Sequence, residues 1–487
     1  VTDFDAVVVG AGPNGLAAAV TLAAAGLRVQ VIEGASTPGG GCRTEDSTLP
    51  GFRHDVCSSV HPLAIASPFF AAFDLPAHGV QLLYPEVAFA QPLDGGRAAL
   101  AYHDLRRTVD ELGAGGPSWH RLMAPLVRRA DAIVPAVLAP LRTVPKHPLQ
   151  AAHFALPALR SAAHVSKQLD GEDARALFSG VAAHAMLPLT RPPTAAFGTL
   201  LAMLAHTVGW PLAEGGSARI TDALMHAVSQ HGGSLETNHR VASLDELPKA
   251  PAVLLDVAPR QLIDLAGDRL DRRYARSLRR FRYGPGVCKV DWALSGPVPW
   301  TAEGCRRAGT VHVGGTFDEV AASESEVAAG RHATAPYVLV VQAGVVDPTR
   351  APLGQHTLWG YCHVPSGSTV DMTAAIEAQI ERFAPGFRDL ILARSVRTAV
   401  DEEREHPNYI GGDIGVGAST VKQTLFRPTV RWDNYRTPLK GVYLCSSGTP
   451  PGGGVHGMCG HYAARSALRT DFGISWTPEL TAALAAG

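Results

Sequence analysis

From Asp5 to Glu33 the chain reads DAVVVGAGPNGLAAAVTLAAAGLRVQVIE, and the period of its apolar positions changes twice. Val7, Val8 and Val9 form a short unbroken apolar run, the pattern of a parallel strand buried on both faces. The alanine- and leucine-rich stretch from about Leu16 predicts a helix closed at Gly26, since glycine adopts the left-handed conformation that ends helices. LRVQVIE then alternates, which predicts a second strand ending at Glu33. Residues 105–205 keep helical spacing, as in VDELGAGGPSWHRLMAPLVRRADAIV, and predict a helical cap. Residues 266–424 alternate more, in VCKVDWAL, YVLVVQAGV and HTLWGYCHV, and predict a sheet forming a cavity floor. Between these blocks, GGSARITDALMHAVSQHGGSLETNHRVASL from Gly215 reads as loop, helix, Gly-Gly turn and strand, and APAVLLDVAP at 250–259 as a buried strand. Near the C-terminus, VYLCSSG from Val442 predicts a last buried strand, and PPGGGVHG a turn into a helix from about Met458 to Leu468.

A chain of 487 residues exceeds the usual size of one core, so two domains, or one interrupted by another, are expected. With 46% hydrophobic and 18% charged residues it is an ordinary globular sequence, and a net charge of −1 gives no electrostatic case for a nucleic-acid partner. The seven cysteines are odd in number and form no CxxC pair, which argues against a disulfide framework or a thiolate metal site and for a reducing, cytoplasmic setting. The chain opens without a signal-peptide pattern, and no apolar run reaches about 18 residues, so any membrane contact is expected to be peripheral.

The first turn carries chemistry. Gly10, Gly12, Pro13, Asn14 and Gly15 spell GxGxxG between strand and helix: a tight turn, close backbone approach to a pyrophosphate, and close packing of helix on strand. Glu33 follows 18 residues after Gly15, near the spacing at which a carboxylate takes hydrogen bonds from a ribose. The three consecutive glycines 39, 40 and 41, then Cys42 and Arg43, look like backbone passing close to an extended ligand. No second strand–glycine–helix unit is present for a separate nicotinamide cofactor.

These segments, with PGF-x-x-D at 50–55, GGSARITDAL at 215–224, GGDIGVGAS at 411–419 and LKGVYLCSSGTPPGGGVHGMCG at 439–460, resemble the flavoprotein superfamily of amine oxidases and carotenoid desaturases. The phytoene-desaturase-like branch, which includes the pyridine-nucleotide-disulphide-oxidoreductase-domain proteins, is the most similar. The resemblance implies an α/β chain of the GR2 flavoprotein type. A Rossmann-like FAD-binding domain (1–70, 205–265 and 425–487) is interleaved with an α+β substrate domain (71–204 and 266–424) that carries the cap and the sheet. FAD would be held by Gly10, Gly12, Pro13, Asn14, Gly15, Glu33, Gly40, Gly41, Cys42, Arg43, the backbone of Val241, Gly448, Gly454, Val455 and His456. The implied activity is removal of hydride from a carbon of a largely apolar substrate, a lipid or isoprenoid, in a phytoene-dehydrogenase-like desaturation. A redox-neutral isomerase of polyunsaturated lipid, an amine oxidase and a non-catalytic FAD-stabilised interaction protein are the alternatives.

A flavin supplies the redox chemistry, so no crowded acid–base constellation is required of the protein. Three residues are candidates for direct roles. Lys289 resembles the lysine that holds a water near flavin N5 in amine oxidases, or else lies at a strand edge with its head in solvent. His456 either meets the flavin or substrate as a proton carrier or is a hydrogen-bonded structural residue. His61 would approach from the first flavin loop. His456, Cys459 and His461 fit no zinc spacing, no GxSxG nucleophile elbow occurs, and no redox dithiol follows the fingerprint. In the cap, IVPAVLAPLRTVPKHPLQAAHFALPALRSAAHVSK reads either as packed core or as a surface that meets membrane.

Overall fold

The computed structural model describes residues 4–140, 143–144 and 146–480. A five-stranded sheet has the order Val442–Leu444, Ala252–Leu255, Ala6–Val9, Val29–Ile32, Ser234–Glu236. Every pairing in it is parallel, with Val8 facing Leu254 on one side and Val31 on the other. The unbroken valine run at its centre is buried throughout, as expected of a strand covered on both faces.

The first helix runs Pro13–Ala23, starting three residues earlier than the apolar pattern suggested because proline is well suited to a first turn. It ends before Gly26, whose φ of 84° carries the chain into the next strand. The last helix, Met458–Asp471, lies against it at backbone distance: a methyl group built on Gly460 would come within 1.8 Å of the Asn14 carbonyl oxygen.

The second sheet has seven strands in the order Ile391–Arg397, Gly286–Leu294, His356–Val364, Val338–Val341, Ala308–Val313, Val87–Leu93, Arg97–Tyr102. All its pairings are antiparallel except that of Ala308–Val313 with Val87–Leu93. Register places His312, Leu339, Tyr361, Lys289 and Arg397 in one cross-strand row, and so on one face. Helices between 105 and 205 pack against the strands Val87–Leu93, Arg97–Tyr102 and Ala308–Val313, while Arg397 at the far end of the row meets Glu45. Phe154 and Ala158 of helix Pro148–Ala158 point inward, while Leu149 and Leu156 are 80% and 69% exposed. The cap is therefore packed on one side and apolar on its outer side. Residues 141, 142 and 145 of the cap segment lie outside the described residues. No helix among the described residues is long and apolar enough to cross a membrane.

Candidate functional site

One cavity of about 1160 Å³ runs between the two sheets. At one end its wall is Gly10, Gly12, Pro13, Asn14, Glu33 and Val241; in the middle it meets Gly40, Gly41, Cys42, Arg43 and the turn Gly452–His456. At the other end it opens into an apolar chamber formed by Val137, Phe154, Phe197, Leu200, Leu339 and Trp359, among others.

The fingerprint glycines divide their work. Gly15 is behind the wall, where a methyl group would strike the Gly10 carbonyl oxygen at 2.0 Å, so it serves helix–strand packing. Gly12 lines the cavity at the start of the first helix and has no side chain to cap it, so the N-terminus turns its positive dipole end to the space. Gly40, at φ 55°, approaches the same turn: its Cβ would stand 3.1 Å from Gly12 Cα. Glu33 is fixed by N–H donation from Ala11 (2.7 Å) and Ala35 (2.8 Å), which holds its carboxylate beside the glycine turn.

Asp256 is the neighbour that sequence reasoning missed. It ends the strand Ala252–Leu255, at the carboxyl edge of the parallel sheet where such folds bind ligands, and that position is the signal that could have found it. Its Oδ2 accepts the Gly15 N–H at 2.9 Å. Burial pushes its pKa up to about 7; the Gly15 hydrogen bond lowers it and the Glu33 charge raises it. His406, Asn408 and Arg427 also line the wall and were not foreseen.

The wall fits an extended dinucleotide. Asn14 Oδ1, His406 Nδ1 and Arg427 Nε are buried on it and have no hydrogen-bond partner among the described residues, so they await polar groups. The glycine turns present bare backbone along the same wall, and the helix N-terminus suits a pyrophosphate.

Three expected site residues take other positions. Gly448 is not on the wall; it packs on Pro259, where a methyl group would meet Cδ at 2.5 Å. Lys289 is neither at a solvent edge nor on the cavity wall. It is 2% exposed on a strand with neighbours on both sides, and its Nζ bonds Asp291 Oδ1 and lies 5.2 Å from the Trp359 ring centroid. A lysine two residues from an aspartate on one strand shares its face, so burial is made tolerable by a local partner. His456 borders the cavity but spends both ring nitrogens on its own turn: Nε2 meets the Gly452 carbonyl at 3.1 Å and Nδ1 accepts the Met458 N–H at 3.1 Å. Burial holds its pKa down at about 4, with the Gly452 carbonyl and Arg427 acting in opposite directions. It is a structural histidine that shapes the turn.

His61 is the converse case. It lines the cavity, is 1% exposed, and neither ring nitrogen has a partner among the described residues. Burial lowers its pKa to about 4, Asp55 raising and Arg350 lowering it, so it is neutral near pH 7 and able to give or take one hydrogen bond.

Behind the first loop, Asp55 of the PGF-x-x-D segment joins both halves of the molecule. It accepts from Arg350 Nη2 (2.5 Å), Ser59 Oγ (2.5 Å), Thr44 Oγ1 (2.8 Å) and Ser217 N (2.9 Å). Burial raises its pKa, but Arg350 and the three hydrogen bonds outweigh burial and hold it below the usual carboxylate value.

Residues 8–74 match the NAD(P)-binding Rossmann-like domain family. The chain is 26% identical to a pyridine nucleotide-disulfide oxidoreductase domain-containing protein 2 of Rattus norvegicus, over 96% of this chain and 94% of that protein. It is also 26% identical to a neurosporene-forming phytoene desaturase of Rhodobacter capsulatus, over 93% and 92% of the two chains. Its fold is similar to that of cyclohexylamine oxidase from Brevibacterium oxydans, with a TM-score of 0.57, 16% identity, and 96% and 98% of the chains covered. The chain therefore joins a Rossmann-like nucleotide-binding domain to a mixed α+β domain, is similar along its length to a pyridine nucleotide-disulfide oxidoreductase domain protein and a phytoene desaturase, and shares its fold with an amine oxidase.

Proposed function

We propose that the protein is an FAD-dependent oxidoreductase that takes hydride from a carbon of a largely apolar substrate, desaturating a C–C bond in the manner of a phytoene dehydrogenase. The observation that carries this reading is the single cavity that joins a dinucleotide-type wall to an apolar chamber. The relatives named as phytoene desaturases support it, as does the 26% identity with the pyridine nucleotide-disulfide oxidoreductase domain proteins, the branch we favour. When bound, FAD would supply the hydride acceptor; the chain would hold it with Gly10, Gly12, Glu33, Gly40, Arg43 and the Gly452–Val455 turn. His61 would hydrogen-bond a polar group brought beside it, and the chamber would exclude water from the reacting carbon. The exposed leucines on the outer side of the cap support a peripheral membrane face.

The test begins with lipid extracted from purified, FAD-loaded protein, identified by mass spectrometry and returned under anaerobic conditions. Lasting loss of the flavin's visible absorbance is the expected result. Loss followed by recovery without an electron acceptor would replace desaturation by redox-neutral isomerisation, and a protein that takes up no FAD would end the proposal.

Asp256 gives the site a pH dependence. Its pKa is raised, so the neutral acid predominates below about 7 and a second negative charge beside Glu33 develops above it. A pyrophosphate binds less well next to that charge, so FAD affinity is expected to fall about tenfold between pH 6 and 8, equivalent to about 1.4 kcal/mol. Asp256→Asn should flatten this dependence in a fluorescence titration of FAD; an unchanged slope would remove Asp256 from the account.

A further inference from the structure

The helices and strands around the chamber contribute almost entirely apolar side chains to its wall. Besides His61, already described, Tyr361 with its hydroxyl and His184 with its ring bring polar atoms to the lining among the described residues. His184 lies in the short helical turn Ala183–Ala185, and its Nε2 is 3.1 Å from Nε2 of His312 behind it. Burial keeps both rings far below their ordinary pKa, His184 at about 3, so the pair is neutral and one proton is shared across that contact.

Which ring donates follows from the groups behind His312. Gln91 Nε2 donates to the Gly315 carbonyl at 2.7 Å, which fixes the amide and turns Oε1, an acceptor only, the other way. Oε1 and His312 Nδ1 are both buried without a partner, and both face the space over Gly180: a methyl group built there would meet them at 2.5 and 2.7 Å. The two atoms are not hydrogen-bonded to one another, but a lone pair on Nδ1 would face the same space as those of Oε1, so we place the His312 proton on Nδ1. Nε2 of His312 is then an acceptor, and His184 must donate to it from its own Nε2–H. That leaves Nδ1 of His184, a residue of the cavity lining, as a neutral acceptor.

We propose that the chamber binds a substrate with an apolar body and one hydroxyl group, whose O–H donates to His184 Nδ1. An ether or ketone oxygen would place a lone pair against a lone pair. An ammonium would enter a chamber whose surrounding helices and strands offer no carboxylate, at a high desolvation cost. The Tyr361 hydroxyl can donate to the same substrate oxygen, so the discriminating feature is the substrate's own donor. This deepens the proposed function and rests on its reading of the chamber as the substrate space.

The experiment compares two isomers, n-decanol and methyl nonyl ether, by titration calorimetry on FAD-loaded protein. The alcohol is expected to bind about tenfold more tightly, the effect of one hydrogen bond made in an apolar setting. His184→Leu should reduce the preference to below about twofold. His312→Phe leaves His184 in place but removes the acceptor that fixes its tautomer, and should reduce the preference too. Equal or tighter binding of the ether by the wild-type protein, a preference that survives His184→Leu, or no binding of either probe would overturn the proposal. The flavin spectrum is recorded on the same samples. Failure to take up FAD ends the functional reading, whereas a missing alcohol preference in yellow protein ends only this one.

Discussion

Asp55→Ala is expected to destabilise the protein by about 3–5 kcal/mol, the range found when one partner of a buried ion pair is removed. The loss arises mainly from what remains. Arg350 is 1% exposed, and without Asp55 its guanidinium keeps, among the described residues, only Asp347 Oδ2, at 3.7 Å, as an ion-pair partner. Ser59 Oγ also loses its acceptor, and through it the Trp359 indole N–H, bonded at 2.7 Å, loses a fixed partner on the chamber wall. Asp55→Asn keeps the shape and one acceptor and should retain part of the stability while still leaving the guanidinium uncompensated. Thermal unfolding followed by circular dichroism and by release of flavin fluorescence measures both effects. An Asp55→Ala protein within about 1 kcal/mol of wild type would show that Arg350 finds another partner, and the linkage between the two halves would have to be abandoned.

Gly460→Ala is expected to act as strongly through a single methyl group. In most helices this substitution is favourable by about 1 kcal/mol. Here the new Cβ would lie 1.8 Å from the Asn14 carbonyl oxygen and 2.9 Å from the Ala18 nitrogen, backbone atoms with no rotamer to move. The helices Pro13–Ala23 and Met458–Asp471 must separate, and the first of them carries the nucleotide turn at its start. Overpacking at a flexible site costs about 1–3 kcal/mol, and a contact between two backbones lies at or beyond the upper end. The variant should lose FAD affinity as well as stability, because the displacement is transmitted to Gly12. Stability unchanged by Gly460→Ala, in the same melts, would mean that the two helices are less closely packed than described.

The contrast between these residues explains what could be read from the sequence. The strand–turn–helix–strand from Ala6 to Ile32 was legible because its residues are neighbours in the chain and each glycine has a local reason. The part of the second sheet that lies in 266–424 and the helices of 105–205 were legible as periodicity, though not the order of the strands nor the two, Val87–Leu93 and Arg97–Tyr102, that come from outside that block. Asp55 stood in a quoted motif, but its partner Arg350 is 295 residues away and nothing local marks it. Lys289 was singled out while Asp291, two positions on and on the same face by the period of a strand, was overlooked; that pairing was available to simple pattern reasoning. What separates His456 from His61 could not be read in the sequence because hydrogen-bond satisfaction depends on the folded turn: one has both nitrogens occupied by backbone and the other has no partner among the described residues. His184 lay in the unremarkable stretch VAAHAML, and its meaning depends on His312 and Gln91 meeting it across the fold.

The order of strands in the parallel sheet also constrains how the protein is made. Its central strand, Ala6–Val9, emerges first from the ribosome, yet its neighbour Ala252–Leu255 and the edge strand Val442–Leu444 emerge hundreds of residues later, and the helix packed on the first turn later still. At about 5–20 residues per second, synthesis keeps this apolar run waiting for on the order of half a minute or more for its last partners. The nucleotide wall is therefore completed late, although its fingerprint precedes the other wall segments in the chain, and until Ala252–Leu255 is made the nascent chain must keep one edge of an apolar strand open, with only Val29–Ile32 beside it.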